Sequence, residues 1–258
     1  MTRTGNPTTA PSADAHAPEA SLSRRAELRQ ATIAEIKALA RQQLAEHGPG
    51  GLSLRAIARQ MRMASSALYR YYANVNELIT ALVLEGYDSL ADTLTAARDS
   101  QPADDPTGQF RAICHAYRQW ALDHRSDFAL IFGTPLPGYE APEETTAAAA
   151  GRSTALALTA YATAVAAGTA DPERSQFPPT IAAGELLPAL LADTVPDCPP
   201  VLAGITLAAY TSLLGYLNAE IFGSLTRLIA DTAQLYDAHV RTVMLGMGFD
   251  PALVEAAE

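Results

Sequence analysis

Apolar residues recur along this chain at steps of three and four, and no stretch alternates convincingly at steps of two. The first spacing lines up side chains on one face of an α-helix, whereas the second would line them up on a strand. The chain is therefore expected to be all-α. Ile33, Ile36, Ala40 and Leu44 form one stripe over about Arg24 to His47, where Gly48 and Pro49 end the helix. Phe110, Ile113, Tyr117, Trp120 and Ala121 form another, followed by Phe128, Ile131 and Phe132 on a short helix. An alanine-rich helix is expected from about Pro142 to Ala167, then a Pro-containing connection to about Pro200 with one short helical stretch from Ile181 to Leu191.

With 258 residues, 48% of them hydrophobic, the chain can bury one small core and one larger one. Residues 1–22 are rich in Thr, Ala, Pro and Ser and carry no apolar run of the kind a signal peptide needs. They are expected to be a disordered tail on a cytoplasmic protein. Residues 23–83 are expected to form a small N-terminal domain of three helices, and residues 84–250 a larger helical domain. Cys114 and Cys198 stand far apart, outside any metal-ligand spacing, and are expected to be buried, reduced thiols. Neither a metal nor a cofactor is expected.

Within the small domain, Ser53 is placed to cap a short helix whose inner face is Leu54, Ile57, Ala58 and Met61. Leu52 and Ile57 can staple that cap, and Arg55 and Arg59 then point outward. A further helix is expected from Ser65 to Tyr71, with Met63, Leu68 and Tyr72 toward the core and Ser66, Tyr69 and Arg70 away from it. Asn74 can cap the next helix, with Glu77 reaching back to the backbone N–H of the cap. Two short helices in tight succession, the second presenting hydroxyls, an aromatic and an arginine, suit a DNA major groove.

Charge is divided along the chain in the same sense. From Arg24 to Leu82 there are nine basic and four acidic residues, a net of +5 within a chain of net −10. A basic end on an acidic body is drawn to phosphates in one orientation.

The run GLSLRAIARQMRMASSALYRYYANVNELITALV at 51–83 resembles the helix-turn-helix domain of the TetR family of regulators. That resemblance implies a DNA operator as partner, with Ser53 and Arg55 near the backbone or a base edge. It places Ser65, Ser66, Tyr69, Arg70 and Tyr71 on the operator, Tyr69 and Tyr71 at phosphates. Arg62 stands where a turn glycine is usual, Ala64 where a hydroxyl cap is usual, and Val75 where many members carry a cation. Downstream, HAYRQWALDHRSDFALIFGTPLPGYEAP at 115–142 and AAYTSLLGYLNAEIFG at 208–223 are similar to the WHG-type ligand domain of the same family. The Trp and His that name that branch are here Tyr210 and Leu214, while the glycine is Gly215.

The resemblance also implies a homodimer paired through the last two helices. Leu207, Leu214, Leu217 and Ile221 on one, and Ile229, Tyr236, Val240 and Val243 on the other, form narrow apolar seams expected to make a four-helix interface, the alternative being that both cover this chain's own core. For a largely apolar effector, Tyr117, Trp120, Phe128, Phe132, Tyr161 and Tyr210 are the candidate wall, with Asn218, His124 or Glu220 as polar anchors. Ser153 to Ala170 and Val201 to Asn218 are uncharged, but their small and hydroxyl residues argue against a membrane span. The expected function is thus a ligand-responsive DNA-binding regulator, a repressor released from a palindromic operator. A regulator without an effector and a helical-bundle enzyme are the alternatives, although no paired Glu-x-x-His motif, nucleophile elbow or phosphate-cradling glycine loop is present.

Overall fold

The computed structural model describes residues 17–177 and 198–255. Helix α1 runs Ala17–His47, α2 Leu54–Gln60, α3 Ser65–Leu68, α4 Val75–Asp99, α5 Pro106–Asp123, α6 Arg125–Phe132 and α7 Glu143–Ala166. After residues 178–197, α8 spans Pro200–Ile221, α9 Thr232–Gly246 and α10 Pro251–Glu255. Among the described residues the only β-type pairing is an isolated antiparallel bridge between Ala170 and Phe249. The helical stretch expected at Ile181 to Leu191 lies outside the described residues, as do residues 1–16 of the expected tail. Residues 17–22 correct that tail, because they already belong to α1. Pro18 is compatible with this start: proline fixes a helical φ, and the first turn has no intrahelical use for the N–H it lacks.

Two buried clusters organise the chain. Ile36 and Ala40 of α1, Leu54, Ile57 and Ala58 of α2, Leu68 of α3 and Leu78, Leu82 of α4 form the smaller. The larger joins Leu90 and Leu94, the α5 stripe from Phe110 to Ala121, Leu158 and Tyr161 of α7, Leu217 of α8 and Met244 of α9. Helix α4 therefore contributes one half to each core. Helix α8 is long and apolar enough by length and composition to cross a membrane, and 44% of its most apolar window is buried against its neighbours.

Cap chemistry explains several boundaries. Asn74 Oδ1 accepts from Glu77 N–H at 2.9 Å, and Asp105 and Asp231 do the same for α5 and α9. Glu77 Oε2 accepts from the N–H of Ala73, one residue earlier than expected. Helix α3 is shorter than the expected Ser65 to Tyr71. Past Leu68 the chain continues in single turns, with the Tyr71 N–H bonded to Leu68 O at 2.8 Å. Ala64 offers no side-chain cap at its other end.

The turn between α2 and α3 is built on Arg62, the one described non-glycine residue with positive φ, at 55°. Met63 N–H donates to Ala58 O at 2.9 Å and Arg62 N–H to Arg59 O at 3.1 Å. This paired 6→1 and 5→2 arrangement is the Schellman closure that glycine ordinarily completes. Gly168 and Gly248 complete the same closure after α7 and α9.

Candidate nucleic-acid interface

Helix α2 is anchored to α1 by a buried polar contact that the sequence patterns did not flag. Gln43, 5% exposed, accepts from the Ser53 N–H at 3.0 Å and donates to Gln60 at 3.3 Å, so both ends of α2 rest on one α1 side chain. Its signal was a polar residue next to the apolar stripe of α1. Ser53 Oγ accepts from Ala56 N–H at 3.4 Å, which occupies the hydroxyl as a cap.

With Leu68 and Tyr72 buried below, α3 and the turn after it expose Ser65, Ser66, Tyr69 and Arg70. Arg55 is exposed on α2, while Ser53 and Tyr71 are half-buried. Met61 and Met63 are half-buried at the margin of the core.

Helix α1 adds cations that the stripe reading missed. Arg29 lies over the Tyr71 ring at 5.0 Å, and Arg25, Arg29, Thr32, Arg70 and Tyr71 line a groove of about 510 Å³. The signal was present, because Arg25, Arg29 and Thr32 fall at i, i+4 and i+7 on one helix face. Among the described residues, Arg25, Arg29, Arg55, Arg59, Arg62 and Arg70 take part in no ion pair, whereas Lys37, Arg41, Arg98, Arg118 and Arg152 do. Among the described residues Arg111, Arg125, Arg174 and Arg227 of the body take part in none either, so what distinguishes the α3 side is the grouping of Arg25, Arg29 and Arg70 in one groove. A cationic groove flanked by hydroxyls and a cation-stacked tyrosine has the chemistry to bind a phosphate backbone.

The residues expected around an effector do not assemble into one open site. Trp120, Phe128 and Tyr161 are at most 1% exposed, and Trp120 Nε1 donates to Ser89 while Tyr161 donates to Met247 O at 2.6 Å. Phe132 is half-buried against Tyr87 and Phe128, and Asn218 donates to Leu214 O of its own helix. Of the expected set, Tyr117 and Tyr210 line a cavity, about 20 Å³ in volume, between α5, α7 and α8. Their rings stack at 5.8 Å, with the Tyr117 hydroxyl donating to Tyr210 at 3.3 Å. Burial pushes both phenols up. Ser153 Oγ and Thr206 Oγ1 also line it, and each is buried without a hydrogen-bond partner among the described residues. His124 caps the junction of α5 and α6 and stacks on Trp120, and Glu220 is held by Arg118 at 2.6 and 2.9 Å.

The expected pairing seams need a sharper correction. Leu217, Tyr236, Val240 and Val243 are 2% exposed or less and belong to the chain's own core, so they cannot meet a second copy. Tyr236 even donates to Cys114 O at 2.7 Å. Ile229 precedes α9 in an exposed turn, and Leu207, Leu214 and Ile221 are half-buried. The surface that α8 leaves outward is centred on Thr211 and Gly215, and that of α9 on Ala238 and Thr242. Cys114 is buried as expected, and burial pushes its thiol up to about 12, whereas Cys198 is only half-buried. Among the described residues no three His, Cys, Asp or Glu side chains are grouped to hold a metal.

Residues 36–82 match the family of bacterial regulatory proteins named for TetR, and residues 110–243 match the tetracyclin repressor-like C-terminal domain. HTH-type transcriptional regulators of Mycobacterium tuberculosis and Mycobacterium bovis are 43% identical over 145 residues, 56% of this chain. The chain spans 62% of the length of these curated relatives. The solved structure of the regulatory protein SCO4313 is 33% identical, with a TM-score of 0.66 over 84% of this chain and 97% of that one. The TetR family regulator PfmR from Thermus thermophilus, 16% identical, shares the fold at a TM-score of 0.55 over 82% of this chain and 97% of its own. With the C-terminal domain matched over half of the chain's length and the helix-turn-helix matched before it, the chain belongs to the TetR family.

Proposed function

We propose that this protein is a DNA-binding transcriptional regulator that acts in the cytoplasm as a homodimer, a repressor released from a palindromic operator by a small, largely apolar effector. The observation that carries the DNA reading is the groove beside α3 lined by Arg25, Arg29 and Arg70, with the Arg29 guanidinium over the Tyr71 ring. Ser65, Ser66, Tyr69 and Arg70 are the base-facing and phosphate-facing candidates, Ser53, Arg55 and Tyr71 flank them, and Arg25 and Arg29 extend the phosphate contact. The N-terminal domain at 23–83 reads DNA, and the domain at 84–250 pairs and responds. Pairing uses the outward faces of α8 and α9, around Leu207, Thr211, Leu214, Gly215, Ala238 and Thr242, and sets two α3 elements about 34 Å apart, one DNA turn. Effector and operator then oppose each other reciprocally, since each favours a different spacing.

A second reading, a regulator without a small-molecule effector, is favoured by the body cavity of about 20 Å³, which holds no more than a water molecule.

The test is selection of bound fragments from genomic DNA with the full chain, followed by salt titration. Specific sites with an inverted repeat are expected, and Tyr69→Ala with Arg70→Ala should abolish specific binding. Removing Arg25 and Arg29 together should flatten the salt dependence by a slope of about 2. Absence of any enriched fragment, or unchanged affinity in the α3 variants, would overturn the reading.

A further inference from the structure

A cavity of about 370 Å³ lies where the small helical unit meets the body. It is lined by Leu44 and Ala45 at the end of α1, by Arg125, Ser126 and Ala129 of α6, and by Phe222 just past α8. This volume is in the range of small-molecule sites, unlike the closed gap beside Tyr117.

Its chemistry has two ends. Phe222 is 54% exposed, an aromatic surface that water leaves unsatisfied beside aliphatic Leu44 and Ala129. Arg125 is exposed and takes part in no ion pair among the described residues. The neighbouring carboxylates are already occupied, Glu220 by Arg118 at 2.6 Å and Asp127 by Arg41 at 2.7 Å. An apolar body with one anionic group is the complement of such a surface.

The position gives occupancy a consequence. Arg41 stands one turn before Leu44 and Ala45, and Asp127 directly follows Ser126, so the cavity sits beside the ion pair that ties α1 to α6. A molecule seated there bears on the two surfaces that this pair holds together.

We propose that this junction is an effector site for an aryl carboxylate, its ring against Phe222, Leu44 and Ala129 and its carboxylate on Arg125. Occupancy bridges α1 and α6, favours the arrangement in which this cavity is open, and so fixes the α3 element relative to the body. The proposal rests on the effector-responsive reading above and locates its site outside the closed body cavity.

Phenylbutyrate serves as the probe and phenylbutyramide as its uncharged counterpart. Trp120 is the chain's single tryptophan and stacks at 5.3 Å on His124, the residue before Arg125, so its fluorescence reports the site. Phenylbutyrate is expected to change that signal saturably and to weaken binding to selected genomic fragments. Arg125→Gln should weaken phenylbutyrate about tenfold while leaving phenylbutyramide unchanged, because only the charged hydrogen bond is removed. Ala129→Leu and, separately, Ala45→Leu should exclude both probes, with an unchanged unfolding midpoint showing that each variant folds. No saturable binding, or equal affinity in Arg125→Gln and Ala129→Leu, overturns the site. If another compound releases DNA equally from wild type and these variants, the site falls and the effector reading stands. If phenylbutyrate fills the cavity with no change in DNA affinity, the regulatory role of the cavity falls and with it the support it lends to effector control.

Discussion

Arg41 on α1 bonds Asp127 on α6 through Nε at 2.7 Å and reaches Glu85 on α4 through a terminal nitrogen at 3.2 Å. Three helices from both halves of the protein thus converge on one guanidinium. Burial works against the Arg41 charge, but the two carboxylates outweigh it and raise its pKa.

Asp127→Asn should therefore loosen the junction more than a surface substitution would. Asp127 is 6% exposed, so losing its charge is expected to cost about 1–3 kcal/mol in urea-induced unfolding. A loss below about 0.5 kcal/mol would mean that Lys37 and Glu85 hold the junction without it.

Arg62→Gly should stabilise the protein. A non-glycine residue in the left-handed region costs about 1–2 kcal/mol, part of which is offset because glycine gains freedom when unfolded. A net gain of about 0.5–1 kcal/mol is expected in thermal unfolding, with weaker and less salt-dependent DNA binding because one cation of that face is lost. A less stable variant would show that the Arg62 side chain makes a compensating contact.

That turn also marks how far local patterns reach. The departure of Arg62 from the usual glycine was visible in the sequence, and the backbone shows its consequence directly in a φ of 55°. The stripes of α1 and α5 were legible because one face of each is apolar and the other polar, so Ile36, Ala40, Phe110 and Trp120 could be placed inward from spacing alone. Helix α8 defeats the same reasoning. It is apolar nearly all round, so the step from Leu207 through Leu214 and Leu217 to Ile221 ran across faces that tertiary packing divides, Leu217 inward and Leu214 toward the surface. Tyr236, Val240 and Val243 form a true stripe on α9, but periodicity states that a face is buried without stating by which chain. The aromatic set divides likewise, Tyr117 and Tyr210 lining a small gap while Trp120, Phe128 and Tyr161 pack the core, since large rings fill cores and line pockets equally well.

Glu220 and Arg118 couple α8 to α5, and the pair should show in acid. Burial would raise the Glu220 carboxyl, but the Arg118 hydrogen bond and charge prevail and hold it below its ordinary value of 4.5. The stabilisation is accordingly complete above that value and lost as the pH falls through the lowered native one. Glu220→Gln leaves Arg118 unpaired and should cost about 3 kcal/mol near neutrality, with a shallower loss of stability in acid than wild type. Parallel stability curves for the two proteins would remove Glu220 from the acid response.

Gly215→Glu should separate assembly from folding. A Cβ at Gly215 meets nothing within 4 Å, and the position is exposed in mid-helix, so the new side chain is accommodated within one chain. Helix propensity favours the change by about 0.5–1 kcal/mol. Analytical ultracentrifugation is expected to show a monomer that unfolds no earlier than wild type and has lost specific DNA affinity. A dimer that survives this charge would place the pairing surface elsewhere.

Helix α4 has one end in each core and 25 residues between them, a rigid rod roughly 37 Å long. A tilt of about 5° at one end swings the other by roughly 3 Å, comparable to the separation of neighbouring base pairs. In the regulator proposed above, motion too slight to disturb packing around Leu90 and Leu94 would be magnified, by leverage alone, into a misfit across two grooves of a duplex.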